Sequence, residues 1–238
     1  MQNTIFSRRR VVTFVCAASV LAACGTTFAA GTVNLNGSTT VLPVMQQVSE
    51  AFMQKNPGVV VTISGTGSGN GIKALIEKQC DIAMSSRDIK EKEVDAAKKN
   101  GVTPNRVVVA IDAIVPVVNP ANKVAALTVE QLRDIFAGKV TNWKDLGGSD
   151  EAIVVIGREA ASGTRGAFEE LLEVKNKCAY AQELDSTGAV LAKVAATPGA
   201  IGYVSLDVVD KTVAALKLDG VDATEDNIKA GKYTLSRP

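Results

Sequence analysis

Three short segments of this 238-residue chain combine residue types suited to holding an anion without covalent chemistry. The first is Gly37-Ser38-Thr39-Thr40, the second Gly65-Thr66-Gly67-Ser68-Gly69-Asn70-Gly71, and the third Arg158-Glu159-Ala160-Ala161-Ser162-Gly163-Thr164-Arg165. Each follows an apolar run and precedes a helical pattern, so each places unpaired backbone N–H groups and hydroxyls at the positive end of a helix. That is an anion site by construction. Glycine lets backbone approach a ligand closely, and Ser and Thr hydroxyls donate to oxyanion oxygens without adding charge. Arg158 and Arg165 add planar forks that match two oxygens of a tetrahedral anion at once.

Singly, each segment also fits a plain structural role. Ser or Thr ahead of a helix is an ordinary N-cap, and glycines between strand and helix are an ordinary turn. The arginine four residues before Ser162-Gly163-Thr164 is harder to dismiss, because a helix start needs no arginine for capping. The glycine run fits neither G-x-x-x-x-G-K-[ST] nor G-x-G-x-x-G, which excludes nucleotide binding by those devices.

The elements that must position these segments alternate short apolar runs with helical stretches, the pattern of α/β layers around a mostly parallel sheet. Strands are expected at Val33–Asn36, Val59–Ile63, Asp81–Ser85, Arg106–Ile111, Ile114–Val118, Ile153–Gly157 and Ala200–Ser205. Val41, Val44, Met45, Val48 and Phe52 recur at the spacing of a helix face, and Asn56-Pro57-Gly58 stops that helix. A second helix is expected over residues 71–78. A third should begin near Thr164, with Phe168, Leu171 and Leu172 inward. No linker-like tract separates two halves, so extended strands are expected to serve as a hinge, the first crossing being Asp112–Val118.

Composition bounds the function. Apolar residues make up 46% and charged residues 21%, an ordinary globular balance, and a net charge of +1 gives no bulk attraction to nucleic acid. Histidine is absent, which removes a Ser-His-Asp triad, a histidine base and the commonest zinc ligand. A phosphoryl-transfer or hydrolytic enzyme using Ser162 or Ser68 as nucleophile would lack a visible base, a Walker lysine and any cluster with metal-ligand spacing. The chain is therefore expected not to be an enzyme, and to need neither metal nor cofactor.

The first 23 residues read as an address. Arg8, Arg9 and Arg10 precede an apolar run from Val11 to Val20, too short to span a bilayer. Leu21-Ala22-Ala23-Cys24 resembles a lipobox, in which Cys24 would be lipidated and become the mature N-terminus. Thr27-Phe28-Ala29-Ala30 offers an alternative cut site, and the paired arginines also suit twin-arginine export. Cys16 and Cys24 belong to this segment; Cys80 and Cys178 remain, read as small buried hydrophobes rather than a disulfide.

Together, Gly37-Ser38-Thr39-Thr40-Val41, Gly67-Ser68-Gly69, Asp81-Ile82-Ala83-Met84-Ser85-Ser86-Arg87 and Arg158-x-x-x-Ser162-Gly163-Thr164 resemble the phosphate-binding proteins of bacterial ABC phosphate importers. Leu132–Gly148 and Pro198-Gly199-Ala200-Ile201-Gly202-Tyr203-Val204 share the likeness, which runs in order from Val33 to the last residue. The resemblance implies an α/β fold of the two-lobed periplasmic-binding-protein kind, type II, with lobes joined by hinge strands. Residues 33–113 would form lobe 1 and 114–235 lobe 2, after a signal peptide (1–23) and a tether (24–32). Residues 236–238 would begin a return crossing to lobe 1, whose remainder relatives usually carry; exposed apolar surface on lobe 1 is the expected result.

The same resemblance implies inorganic phosphate as ligand, held in the cleft by Ser38, Thr39, Thr40, Ser68, Arg158, Ser162, Gly163 and Thr164, and ABC-transporter permease subunits as partners. It also implies periplasmic or membrane-surface placement through Cys24. Ser86 takes the remaining ligand position. Many relatives have aspartate there, which accepts the proton of hydrogen phosphate and rejects sulfate; serine carries no charge to do so. Molybdate, tungstate and sulfate thus stay open as cargo. Arg87 either faces the cleft or pairs with Asp88 or Glu91.

Overall fold

The computed structural model describes residues 31–238. The signal-peptide and lipobox expectations, with Cys16 and Cys24, lie outside the described residues. Lobe 1 opens with β1 (Gly31–Gly37), α1 (Leu42–Lys55), β2 (Val59–Gly65), α2 (Ser68–Ile76), β3 (Ile82–Met84) and α3 (Glu91–Lys99). β1 begins at Gly31, inside the expected tether. The three strands form a parallel sheet of order β2-β1-β3. Its register sets Gly37 beside both Gly65 and Met84, so the residues after each strand leave from one edge. In a parallel sheet that carboxyl edge is where ligands gather.

Lobe 2 contains β4 (Asp112–Val118), β5 (Ala126–Leu127), α4 (Val129–Phe136), β6 (Val154–Arg158), α5 (Gly163–Leu171), β7 (Gln182–Leu184), α6 (Thr187–Ala196) and β8 (Ala200–Ser205). The chain continues with β9 (Ala214–Ala215), β10 (Lys217–Leu218), α7 (Glu225–Lys229) and β11 (Ser236–Arg237); β11, where a return crossing is expected, pairs with β4. The main sheet runs β11-β4-β8-β6-β7, with β9 also on β4; β6 is parallel to β7 and β8, while β4 is antiparallel to β8 and β11. Arg158 sits beside Leu184, so the loops after β6 and β7 also leave from a shared edge.

Burial differs sharply between the lobes. Strand β4 reads Ala-Ile-Val-Pro-Val-Val from Ala113 to Val118, buried throughout, as a strand covered on both faces should be. Around it pack Phe136, Phe168, Tyr180 and Tyr203, with the Phe168 and Tyr203 rings stacked at 4.0 Å between centroids. In lobe 1, α2 packs on β1 and β3, yet the stripe Val44, Val48 and Phe52 of α1 is 39%, 52% and 46% exposed. Val60 and Ile82 are exposed as well, so the apolar surface expected on lobe 1 is present.

Several sequence expectations need correction. Residues 106–111 form no strand: Val107, Val108, Val109 and Ile111 are exposed, and a β-prone run with no neighbour to pair with has nothing to hold it as a ladder. Helix α2 starts at Ser68 rather than 71, because Gly67, at φ +93°, turns the chain into the helix early. Leu171 is 36% exposed; only Phe168 and Leu172, one turn apart, point inward. Arg87 pairs with neither Asp88 nor Glu91 side chains but grips Glu93 with both terminal nitrogens, at 2.9 and 2.8 Å. Cys80 and Cys178 are free thiols, Cys80 buried and Cys178 partly so.

Candidate functional site

Four helix starts meet between the lobes. α1 and α2 come from lobe 1, α5 and α6 from lobe 2, and each has its first turn free of the intrahelical acceptors that later residues enjoy. The residues at those starts are Thr39 and Thr40, Ser68, Gly163 and Thr164, and Thr187. Every Ser or Thr among them except Thr39 is buried.

Their hydroxyls form a continuous web. Thr40 Oγ1 lies 2.8 Å from Thr164 Oγ1 and 3.2 Å from Thr187 Oγ1. Ser86 Oγ is 3.5 Å from Thr164 Oγ1 and 3.3 Å from Ser68 Oγ, and Ser68 Oγ also accepts the Ser86 N–H at 3.1 Å. Backbone crosses the gap too, the Gly69 N–H donating to the Ala161 carbonyl at 2.9 Å. A side chain at Gly163 would overlap the Ser68 side chain and come within 2.8 Å of Ser86 Oγ, so only glycine lets α5 approach lobe 1 this closely.

Two serines do structural work at the same time. Ser162 caps α5, its Oγ accepting the Arg165 N–H at 3.2 Å, and Ser38 Oγ accepts the N–H groups of Thr40 and Val41 at 3.2 and 3.3 Å. An accepting hydroxyl still has its own proton to donate, so capping and ligand contact are compatible.

Arg158 supplies the charge. At the end of β6 its side chain is buried, with Nη1 donating to Thr187 Oγ1 at 3.0 Å and Nη2 to Thr39 Oγ1 at 3.1 Å and the Asp185 carbonyl at 2.9 Å. Nε donates to the Leu184 carbonyl at 3.2 Å. Among the described residues it has no carboxylate partner within salt-bridge reach. Burial lowers its pKa from the free value, the mark of a cation stripped of water. Uncompensated charge of this kind is costly inside a protein, and a bound anion relieves it.

Arg165, read from sequence as a second fork, turns away. It donates to Glu169 at 2.7 Å, approaches Glu183 at 2.9 Å and holds the Arg158 carbonyl at 2.8 Å, which braces the strand end without entering the cleft. Two residues outside the sequence-derived set stand in the web instead. Thr187 follows Leu184-Asp185-Ser186, a fourth strand-to-helix segment, but its strand Gln182-Glu183-Leu184 lacks the apolar run that marks the other three. Arg237 donates through Nη2 to Thr164 Oγ1 at 3.1 Å and through Nη1 to the Ser86 carbonyl at 2.7 Å, and no local pattern marks it.

Among the described residues, no group of three or more His, Cys, Asp or Glu is placed to hold a metal ion. The arrangement is rich in donors: two guanidinium groups, hydroxyls and amide hydrogens.

Comparison with known proteins gives a consistent picture. Residues 22–238 match the family described as the PBP superfamily domain. The phosphate-binding protein PstS of Bacillus subtilis (strain 168) is 33% identical over 211 residues, 87% of this chain and 68% of the relative. PstS of Borreliella burgdorferi is 31% identical over 217 residues, 86% of this chain and 76% of the relative. A Clostridium perfringens protein solved with bound phosphate, and described as a phosphate ABC transporter substrate-binding protein, superposes with a TM-score of 0.81 at 42% identity, covering 87% of this chain and 84% of its own.

Proposed function

The chain belongs to the PBP superfamily, and within it to the phosphate-binding proteins; we propose that it captures inorganic phosphate in the cleft between its lobes and delivers it to an ABC importer. Its fold is the two-lobed type II α/β arrangement of that superfamily. The observation that carries the ligand assignment is Arg158, a buried guanidinium with no ion-pair partner among the described residues, whose fork donates to the Thr39 and Thr187 hydroxyls at the edge of the web. A tetrahedral anion entering there would receive donors from Ser38, Thr39, Thr40, Ser68 and Ser86 on lobe 1 and from Arg158, Ser162, Gly163 and Thr164 on lobe 2. Only the closed arrangement satisfies both sets, so ligand favours closure by its differential affinity for the two states. A permease that recognises the closed form would then take up loaded protein in preference to unloaded.

The reading extends to delivery. In this reading residues 1–23 act as an export signal and Cys24 as a lipid anchor, which would hold the protein at the outer face of the cell membrane near the permease; mass spectrometry of the mature N-terminus tests this. Calorimetric titration of inorganic phosphate tests the ligand. Wild type should bind, and Arg158→Ala should weaken binding by about 2–5 kcal/mol, as when one partner of a buried charge pair is removed. Unchanged affinity in Arg158→Ala would remove the assignment.

A further inference from the structure

Arg237 is the second guanidinium at the hydroxyl web, and its surroundings say what it is for. It lies on β11 and is 6% exposed. Its fork touches both lobes, reaching the Ser86 carbonyl on one side and Thr164 Oγ1 on the other, the same hydroxyl that meets Thr40 and faces Ser86. Asp112 holds it from behind: Oδ2 accepts from Nη2 at 2.9 Å and from Nε at 3.3 Å, while Oδ1 accepts the Ser205 hydroxyl at 2.7 Å. Both carboxylate oxygens therefore already have donors.

We propose that Arg237 is a second anion-binding arginine, and that with it the cleft selects a tetrahedral oxyanion by its double negative charge and not by the presence of a proton. This rests on the oxyanion reading above and names the ionic form that the site takes. A carboxylate at neutral pH can only accept, so it demands a protonated ligand oxygen and repels a bare one. Here the groups at the web are Ser and Thr hydroxyls, which can donate or accept, and two arginines, which can only donate and so favour bare, charged oxygen over one that must give up a proton. Among the described residues Arg158 has no carboxylate within ion-pair distance, Glu159 and Asp185 acting from farther off, and Arg237 is paired with Asp112, so two guanidinium groups meet one carboxylate at contact distance. The charged and titratable groups that face Arg237 are Asp112 on β4, Asp207 after β8, Tyr203 on β8 and Arg158 on β6. With no histidine in the chain, the pH response near neutrality belongs to the ligand, as phosphate passes from monoanion to dianion.

The test is calorimetric titration of the full chain with inorganic phosphate at about pH 5 and about pH 8, on either side of the second phosphate ionisation, with and without sulfate. Phosphate should bind more tightly at the higher pH, and sulfate should displace it. Arg237→Gln should lower phosphate affinity at the higher pH by about tenfold or more and flatten the pH profile, while Arg237→Lys retains part of both. Asp112→Asn, which frees the fork of its counter-charge, should raise sulfate affinity, whereas a purely structural role for the pair predicts a loss. Wild-type affinity in a folded Arg237→Gln protein, or tightest phosphate binding at acid pH with sulfate excluded, overturns the proposal. If Arg237→Gln does not fold, weaker or unchanged sulfate binding in Asp112→Asn overturns it. A wild-type protein that binds neither anion defeats the oxyanion reading itself, a result distinct from phosphate binding that ignores Arg237.

Discussion

Thr40 and Thr164, separated by 124 positions in sequence, join the lobes through a hydroxyl-to-hydroxyl hydrogen bond of 2.8 Å. Thr164 Oγ1 also accepts from Arg237 Nη2 and faces Ser86, so one oxygen links lobe 1, lobe 2 and strand β11. Replacing Thr164 with Val keeps the shape and deletes that oxygen. Phosphate affinity should fall by about 1.5–3 kcal/mol, the range for a hydrogen bond to a charged group, with the fold retained by circular dichroism.

Gly163→Ala tests the fit of the lobes. The added methyl meets the side chains of Ser68 and Ser86, both buried across the cleft, so closure must be incomplete or strained. A penalty of about 1–3 kcal/mol is expected on phosphate binding, as for other overpacked contacts. Because the clash exists only between lobes, thermal melting of the unliganded protein should change far less than affinity does.

All three tyrosines, Tyr180, Tyr203 and Tyr233, have phenol pKa values raised above the ordinary 10.0, burial being the main cause in each, with the neighbouring phenol adding to it at Tyr180. A pKa higher in the folded state than in the unfolded one means that the neutral form is held by folding. Its contribution is complete below the unfolded value and is lost as pH climbs from there toward the folded values. Phenolate absorbance should therefore stay low in the native protein past pH 10.0 and then appear together with loss of near-ultraviolet circular dichroism, in one transition. Separate, gradual ionisation of native tyrosines would contradict the burial argument.

Two phenylalanines give opposite expectations. Phe168 is fully buried between Phe136 and Tyr203, and Phe168→Ala should cost about 3–5 kcal/mol in chemical denaturation. Phe52, 46% exposed on α1, should cost less than about 1 kcal/mol on the same change.

What the sequence disclosed follows from how local each signal is. Ser68, Arg158, Ser162, Gly163 and Thr164 lie in strand-to-helix segments whose pattern is complete within a few residues; the register of β1, β2 and β3 brings the Ser68 loop to one edge of its sheet, and β6 beside β7 does the same for the Arg158 loop. Thr187 also stands at a helix start but follows β7, a three-residue strand with Gln182 and Glu183, which gives no apolar run to announce it. Arg237 was invisible because its role arises only when β11 lies against β4 and sets it beside Asp112. Residues 106–111 erred in the other direction, since a run of β-branched side chains states a preference that only a neighbouring strand can realise. Arg165 was misassigned because spacing cannot tell which way a long side chain turns; Glu169, one helical turn on, takes it.

The unequal burial of the halves has a consequence for how the molecule breathes. Among the described residues, both contiguous clusters of buried apolar side chains draw on residues from 113 onward, while the smaller half has scattered ones such as Leu35, Ile72 and Met84. Local opening free energies should divide accordingly, with amides of residues 31–99 exchanging with solvent deuterium well before those of 113–235. Because a ligand bridging the two stabilises only the assembled state, saturating phosphate should slow exchange chiefly in the less stable half. Cargo would then act as a fastener, borrowing rigidity from one side of the protein to secure the other.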